Sequence, residues 1–471
     1  MMFAAVLVEG GIQLMNAIVS KVKRVLTKDV LFTGLNQLWR MVSGPLMFVF
    51  IPLYLTKEIQ GYWYTFISLS ALAIFADLGF SNIVLQFSAH EFSHLSFGPD
   101  YRLEGNDNHL KRLSSFFMFV IKWASLMIAI VFPLILVVGV VLFSQKHSSV
   151  QWLIPWVIYL MGSAVSFFNT TLISFVQGCN QVSKSQRIAL FVSVINTTII
   201  LVMLVLKMNL FALAIAMIVS TVTSLLYVVF IFRNLFRQMI ESAKRYYHSW
   251  KKEFLGLLWK YAFVFGAGYF IFQIYSPLVF SLHTPEEAGK VGITLALWIA
   301  IFFISNVWML AVTPKMNMLA AKKDWKSMDG LLVKNMSLSI LTYLTGVIAL
   351  VLFVFLTRGR FGFLDKIFSR FLGLFPMVCL AVVWLLQLGI NALSIYLRSH
   401  KQEPLVASSI ASGIYVAVTS VLCAKFLPTN YIFLGLLSSY IWNLPWIISI
   451  FINKRKLWHA SNELEIIGEN K

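Results

Sequence analysis

Apolar residues in this chain do not alternate with polar ones; they run. Stretches of about twenty or more recur near 31–55, 61–88, 115–144, 150–176, 187–206 and 209–232, and a second six follow near 255–282, 289–314, 333–356, 371–397, 404–426 and 430–453. Each is long enough to cross a hydrocarbon core of roughly 30 Å as a helix, whereas a β-barrel shows short alternating segments. Twelve spans put both termini on one side. The opening 1–30 reads as an interfacial lead-in: it is apolar but interrupted by Glu9, Gly10 and Gly11, and its basic cluster follows the apolar part, the reverse of a signal peptide. Met15 stands as an alternative start.

Composition agrees with the pattern. With 59% hydrophobic and 12% charged residues in 471, the chain is too apolar for a soluble enzyme of this length. Of its 38 lysines and arginines, 26 fall on the side of the termini, 9 on the other, and Arg40, Lys122 and Lys260 lie inside spans. That asymmetry places both termini in the cytoplasm. The net charge of +19 is first a topology signal, and nucleic acid is not needed to explain it. One loop runs against the rule: Thr357–Arg370 carries four basic residues on the outer side, which makes it an amphipathic segment there or marks an error in pairing the spans. Cys179, Cys379 and Cys423 show no paired spacing and read as packing residues.

The two sets of six echo each other. Leu38–Arg40 opens the first span as "LWR" and Leu258–Lys260 the seventh as "LWK"; Pro52 matches Pro277, and Asn169 in span four matches Asn391 in span ten. The offsets, 220 to 225, predict an all-α membrane protein with about 12 transmembrane helices in two pseudo-symmetric six-helix lobes around a central cavity. The lobes are expected at 31–232 and 255–453, joined by a basic cytoplasmic linker at 233–254 and followed by a tail at 454–471. Because six is even, the lobes share one orientation. Transporters with such repeats bind substrate between the halves and alternate access by rocking them.

One stretch spells different chemistry. "SAHEFSHL" holds His90, Glu91 and His94 as H-E-x-x-H, which on a helix sets two imidazoles on one face beside a glutamate able to activate a zinc-bound water. A catalytic zinc also needs a third protein ligand. The motif begins where span two ends, and the polar loop after it offers only Asp100, Glu104, Asp107 and His109. The favoured reading is a coincidence at a solvated helix end, with a gating or headgroup role for His90 and Glu91 as the next. No metal, cofactor or catalytic residue is implied.

Several segments carry a family resemblance. "PLYLTKEIQGYWYTFISLSALAIFADLGFSNIVLQFSAHE" (Pro52–Glu91), "SFVQGCNQVSKSQR" (Ser174–Arg187), "TPKMNMLAAKKDWKSM" (Thr313–Met328) and "NALSIYLRSHKQEP" (Asn391–Pro404) resemble Wzx-type polysaccharide (O-antigen) flippases of the multidrug/oligosaccharidyl-lipid/polysaccharide exporter superfamily. The resemblance covers most of the chain in register. It implies a multi-pass protein of the bacterial inner membrane that carries an undecaprenyl-diphosphate-linked oligosaccharide to the periplasmic leaflet, around a central and often cationic cavity. The residues lining that cavity differ among members, so no set is carried over.

Candidates come instead from polar groups at membrane depth, where a charge is costly and so functional or paired. Arg40 and Asp77 lie at matching depth in adjacent spans. Two readings stay open: an ion pair that staples two helices, or Arg40 binding the diphosphate while Asp77 tunes its charge or carries the coupling proton or sodium ion. Lys260 sits opposite Arg40 by the repeat, and Lys122 reads as snorkelling. Asn169, Gln273, Asn306 and Asn391 are placed to bond sugar hydroxyls or to link helices. Expected partners are the lipid-linked oligosaccharide and membrane lipids. The alternatives are a multidrug or organic-ion antiporter of the same superfamily, for which the spans hold too few acids, and an O-antigen polymerase, for which the outer loops are too short. The chain has no G-x-x-x-x-G-K-[ST], so no ATPase site of that type drives it.

Overall fold

The computed structural model describes residues 28–469 apart from 245, 247 and 401; for 28–34, 37, 40, 251–257, 259–261, 321 and 460–469 it describes the backbone only. The lead-in before residue 28, and the side chains of Arg40 and Lys260, lie outside the described residues.

In the first half, α1 (Lys28–Tyr54) leads into α2 (Lys57–Ser70), a 3-10 turn (Ala71–Ala73), α3 (Ile74–Asp77) and α4 (Phe80–Phe92). A small antiparallel hairpin, β1 (Leu95–Phe97) and β2 (Leu103–Gly105), pairs Leu95 with Gly105. Then come α5 (Asp107–Ser144), α6 (Leu153–Gly178), α7 (Val182–Val205), α8 (Leu210–Ile231) and the short α9 (Arg233–Ala243). The second half holds α10 (Lys251–Phe272), α11 (Tyr275–Leu282), α12 (Pro285–Ala321), α13 (Trp325–Thr357), α14 (Gly362–Phe368), α15 (Leu374–Arg398), α16 (Val406–Phe426) and α17 (Leu434–Glu469). Among the described residues ten helical segments are long and apolar enough to cross a membrane, and α10 with α11, bent by 49°, makes an eleventh. The 27-residue α1 stands where the first span was expected.

Local chemistry fixes where these helices begin. Thr56, Asn106, Thr284 and Asp324 each accept, through a side-chain oxygen, a backbone N–H of the first turn of α2, α5, α12 and α13. Such caps satisfy donors the helix cannot. Thr284 is followed by Pro285 at the first helical position and by Glu286 and Glu287, acids that complement the positive end of the helix.

Two expected spans are not single helices. The second breaks at Leu78 and Gly79, with φ of 45° and 79°. Asp77 holds the break: its carboxylate accepts Gly79 N at 3.2 Å, Ser81 N at 3.1 Å and Ser81 Oγ at 2.5 Å. The seventh bends between Phe272 and Tyr275. The anomalous loop 357–370 contains the short helix α14, in which Leu364 and Ile367 are buried while Phe363, and Phe361 just before it, are exposed, so the loop is a segment packed on the bundle.

Within the first half α6 packs along α8, α4 and α5, and α7 fits between α1 and α8; within the second, α12 lies against α13 and α15, and α10 against α16. The main contact between halves is α2 against α12. Backbones touch there. A methyl group at Gly61 would overlap the carbonyl oxygen of Pro285, and one at Gly289 would come within 2.9 Å of Gly61 N. Small residues at such crossings let helices approach where lipid supplies no hydrophobic drive.

Candidate functional site between the two halves

The end of the bundle carrying the β-hairpin, α9 and the α12–α13 turn is called the basic end, and the opposite one the far end. Far-end contacts cross the seam. Tyr62 and Phe143 of the first half pack against Phe280 of the second at centroid distances of 4.9 and 5.4 Å. Gln60 Nε2 donates to the Gly289 carbonyl at 2.9 Å, and deeper in, Ser68 Oγ donates to the Gln273 carbonyl.

Two cations complete this closure, one from each half. Lys146, just after α5, donates to the carbonyls of Ser281 and His283 at 3.0 and 2.8 Å, capping the end of α11. Arg370, just after α14, donates through Nη2 to the carbonyls of Pro52 and Leu55 at 3.1 and 2.7 Å, capping the end of α1. Carbonyls at a helix C-terminus lack intrahelical partners and carry its partial negative charge, so each cation meets an acceptor already disposed to it. The two contacts correspond approximately under the internal repeat. Residue 370 lies 224 positions after 146, within the offsets of the repeat, while the acceptors Pro52 and Ser281, and Leu55 and His283, lie 229 and 228 positions apart, just beyond them, so each half locks the other by a similar device. Burial holds the Arg370 pKa below its ordinary value, with Glu286 acting in the opposite sense.

Beneath this closure lies a cavity of about 610 Å³ between α1, α2 and α12. Its walls are largely apolar and aromatic, including Phe48, Trp63, Tyr64, Phe272 and Phe303, with Ser43, Ser68, Gln273 and Ser276 as polar groups. It reaches Met41 and Leu310, both exposed, so it follows the α1–α12 gap toward the basic end. Pro45 on its wall has no N–H for the carbonyl of Met41, which the helix leaves without its usual donor.

The polar candidates divide sharply. Gln273 lines the cavity. Asn169 is buried inside the first half, where its Nδ2 donates to Ser224 Oγ at 2.6 Å. Asn391 donates to Asn306 Oδ1 at 2.7 Å inside the second half, so both asparagines link helices of one half. Lys122 is exposed on α5, away from the cavity lining. Asp77 closes the helix break described above. The cavity's aromatic walls escape a search for polar groups; the small residues Ser43, Gly44 and Pro45, and Gly289 and Gly292 of α12, are the signal that marks them.

The H-E-x-x-H segment is not a solvated helix end throughout. His90 is 78% exposed, but the Glu91 side chain is only 4% exposed and is bound by Arg112 Nε at 2.9 Å and His109 Nδ1 at 2.8 Å. His94 stacks on the His109 ring with centroids 4.0 Å apart. Arg112 also lies 5.2 Å from the Trp250 ring, tying the linker to the first half. Among the described residues no three His, Cys, Asp or Glu side chains converge to hold a metal ion.

No family model and no curated protein matches the sequence. Solved structures do match in fold. The lipid II flippase MurJ, in an inward closed conformation, aligns with a TM-score of 0.60 and 14% identity, over 92% of this chain and 91% of its own. An inward-facing multidrug resistance MATE family transporter of the MOP superfamily gives 0.58 and 13%, over 91% and 96%. A MOP superfamily transporter from Pyrococcus furiosus, reported with a binding pocket of reverse polarity, gives 0.53 and 12%, over 91% and 96%. These identities speak to fold alone: the chain has the two-lobed, all-α membrane fold of MOP superfamily transporters.

Proposed function

We propose that the chain is a flippase for a lipid-linked oligosaccharide, moving the polar head through the space between its halves while the lipid stays in the bilayer. The observation that carries this is the cavity between α1, α2 and α12, apolar on most of its wall and running along the gap between α1 and α12. An apolar gap of that kind suits a substrate that is part hydrocarbon. The fold shared with a lipid II flippase supports the same reading, and the segments resembling Wzx-type flippases narrow it to surface polysaccharide synthesis in a bacterial inner membrane. Arg40, beside the cavity residue Met41, and Lys260 are the proposed diphosphate contacts; Arg40 suits phosphate by its bidentate fork.

Access alternates as the far end opens. In the closed arrangement the Gly61–Gly289 contact and the Lys146 and Arg370 caps hold the halves together. Opening exchanges those donors for water, and a substrate that favours the open form shifts the balance by its difference in affinity. Among the described residues neither cation makes an ion pair with a carboxylate in these caps, although Glu286 is near enough to act on Arg370. A proton or sodium ion remains the proposed energy source.

Reconstitution tests the reading. Proteoliposomes carrying a fluorescent polyprenyl-diphosphate sugar should lose label from one leaflet in a protein-dependent way, and Arg40→Gln should reduce the rate about tenfold or more, consistent with loss of a charged hydrogen bond. Arg40→Lys should retain part of it. Extrusion of ethidium in a proton gradient, with no movement of the lipid, would replace the flippase by the multidrug antiporter.

A further inference from the structure

A second cleft lies wholly in the first half, at the basic end, where the tip of the hairpin meets the ends of α7, α8 and α9. Its volume is about 430 Å³, and Asp100, Tyr101, Lys184, Arg187, Tyr227 and Arg233 line its polar part. Three cations and one acid thus face the cleft among its described lining residues. Lys184 belongs to the first turn of α7, where Gln181 supplies no side-chain cap, so the positive end of a 24-residue helix adds to the cations.

The wall is built rather than incidental. Gln238 of α9 binds both the N–H and the carbonyl of Leu103, at 2.7 and 2.8 Å, and Asn234 Nδ2 donates to the Asp100 carbonyl at 3.0 Å. These bonds pin the hairpin beside the two spans. Lys184 Nζ donates to the Tyr101 hydroxyl and lies 4.0 Å from that ring's centroid, while the Arg233 guanidinium lies 5.6 Å from the Phe230 ring. Phe230, 68% exposed, and Ile231 form the apolar side at the last turn of α8. Charge and apolar surface therefore meet where a span leaves the membrane.

We propose that this cleft binds the phosphate of an anionic lipid on the basic face of the membrane, Lys184, Arg187 and Arg233 facing the phosphate oxygens and Phe230 with Ile231 facing the first carbons of the tail. A scattered topology signal needs no shared cleft, and here three cations converge on one against a wall held by Gln238 and Asn234. The phosphate has two available sources, a resident phospholipid headgroup or the diphosphate of a polyprenyl carrier. The site is separate from the cavity between the halves and does not depend on the flippase reading.

The full chain, purified from vesicles of phosphatidylcholine with a minor fraction of phosphatidylglycerol, should retain phosphatidylglycerol in native mass spectra. Arg187→Gln and Arg233→Gln should each weaken retention about fivefold, the worth of one basic residue near an anionic surface. Asp100→Asn should strengthen it, an outcome that damage to the fold does not produce. Farnesyl diphosphate competing for the site would assign it to the carrier as well, whereas retention of phosphatidylglycerol against farnesyl diphosphate would assign it to a resident lipid. Equal retention of phosphatidylcholine, or unchanged phosphatidylglycerol in a Lys184→Gln, Arg187→Gln, Arg233→Gln variant that melts like the parent, would overturn the proposal.

Discussion

Lys146 and Arg112 sit at opposite ends of the same helix, α5, and are used in opposite ways. Lys146 reaches across the seam to carbonyls of the second half. Arg112 stays at home on Glu91 of the first half, and in the second half Asp329 is bound by Arg455, at 2.6 Å, and by the Tyr396 hydroxyl, at 2.9 Å. Far-end donors bind the two halves to each other; the basic-end ion pairs make each half rigid within itself. The proposed rocking of the halves needs both, since halves that deform would not transmit closure at one end into opening at the other. The neutral acceptors at the far end also matter. Parting from a carbonyl leaves no naked carboxylate, so the lock is easier to break and re-form than a buried ion pair.

The largest disturbance of that contrast is steric. Gly61→Val places two branched carbons against the Pro285 backbone, which cannot rotate away. Overpacking of this sort costs about 1–3 kcal/mol even where side chains can yield, so the far end should separate. Transport should be lost, and a cysteine at Ser276, buried in the parent, should react with an impermeant thiol reagent from the far side. Gly289→Ala is the milder companion should the valine variant fail to reach the membrane. Normal transport and silent labelling in both would show that the closure does not rest on α2 and α12.

Next in size is Arg112→Leu. It leaves the buried Glu91 carboxylate with His109 and, at 3.9 Å, the exposed His90, and breaking a buried pair costs about 3–5 kcal/mol, less here because Arg112 is partly exposed. The melting temperature should fall, while labelling at Ser276→Cys stays at the parent level. Adding Glu91→Gln should recover much of the loss. A far end that opened in Arg112→Leu would break the division of labour between the two ends.

The caps themselves come third. Arg370→Ala and Lys146→Ala each remove two hydrogen bonds from a charged donor; bonds of that kind contribute about 1.5–3 kcal/mol, so the open form should gain tenfold or more. Their correspondence under the repeat predicts similar effects for the two variants, and melting should change less than the labelling does. Unequal effects, with one variant silent, would reduce the pair to one working latch.

Periodicity is enough to locate most spans, because lipid admits few ways to satisfy a backbone: the stretch expected at 209–232 is α8, Leu210–Ile231. It does not reveal the break at Leu78 and Gly79, since "ADLGFSN", although more polar than its neighbours, lies inside a stretch long enough to read as one continuous span. Asp77, conspicuous as a charge at depth, accepts bonds from Gly79 and Ser81 at that break, local partners that depth alone does not announce. The repeat places Asn169 and Asn391 at equivalent positions but not with equivalent partners, Ser224 of α8 and Asn306 of α12. Partners depend on packing, which a spacing does not encode. Arg370 was visible as an anomaly, a basic loop on the wrong side, and the anomaly was itself the signal of a cation with a structural task. The cavity was the least legible feature because its walls use the same residues as the lipid-facing surface.

The smallest expected effect is of pH, and we assign it to the basic end. His400 lies just after α15 at the basic end, stacked on Trp458 with centroids 3.5 Å apart, and its Nδ1 donates to the Tyr396 carbonyl at 3.0 Å. Its Nε2 is buried without a partner. Burial holds its pKa below the ordinary value of about 6.5; the Tyr396 carbonyl opposes that shift and nearby His459 adds to it. Below pH of about 6.5 the unfolded chain therefore binds the proton first, and stability present above that pH is lost as pH falls toward the folded pKa. Melting curves from pH 8 down to about 5 should show a shallow decline in that window, and His400→Gln should flatten it. The far-end caps end on backbone carbonyls, which do not titrate, but one of them belongs to His283, whose imidazole is bonded to the Ala424 carbonyl and lies 3.5 Å from Glu287. With His283→Gln removing that imidazole, labelling at Ser276→Cys, corrected for thiolate chemistry with a cysteine on an exposed loop, should stay flat across the same range. A far end that opened in acid while His400→Gln left the melting slope unchanged would place the titrating group at the seam and reverse the assignment.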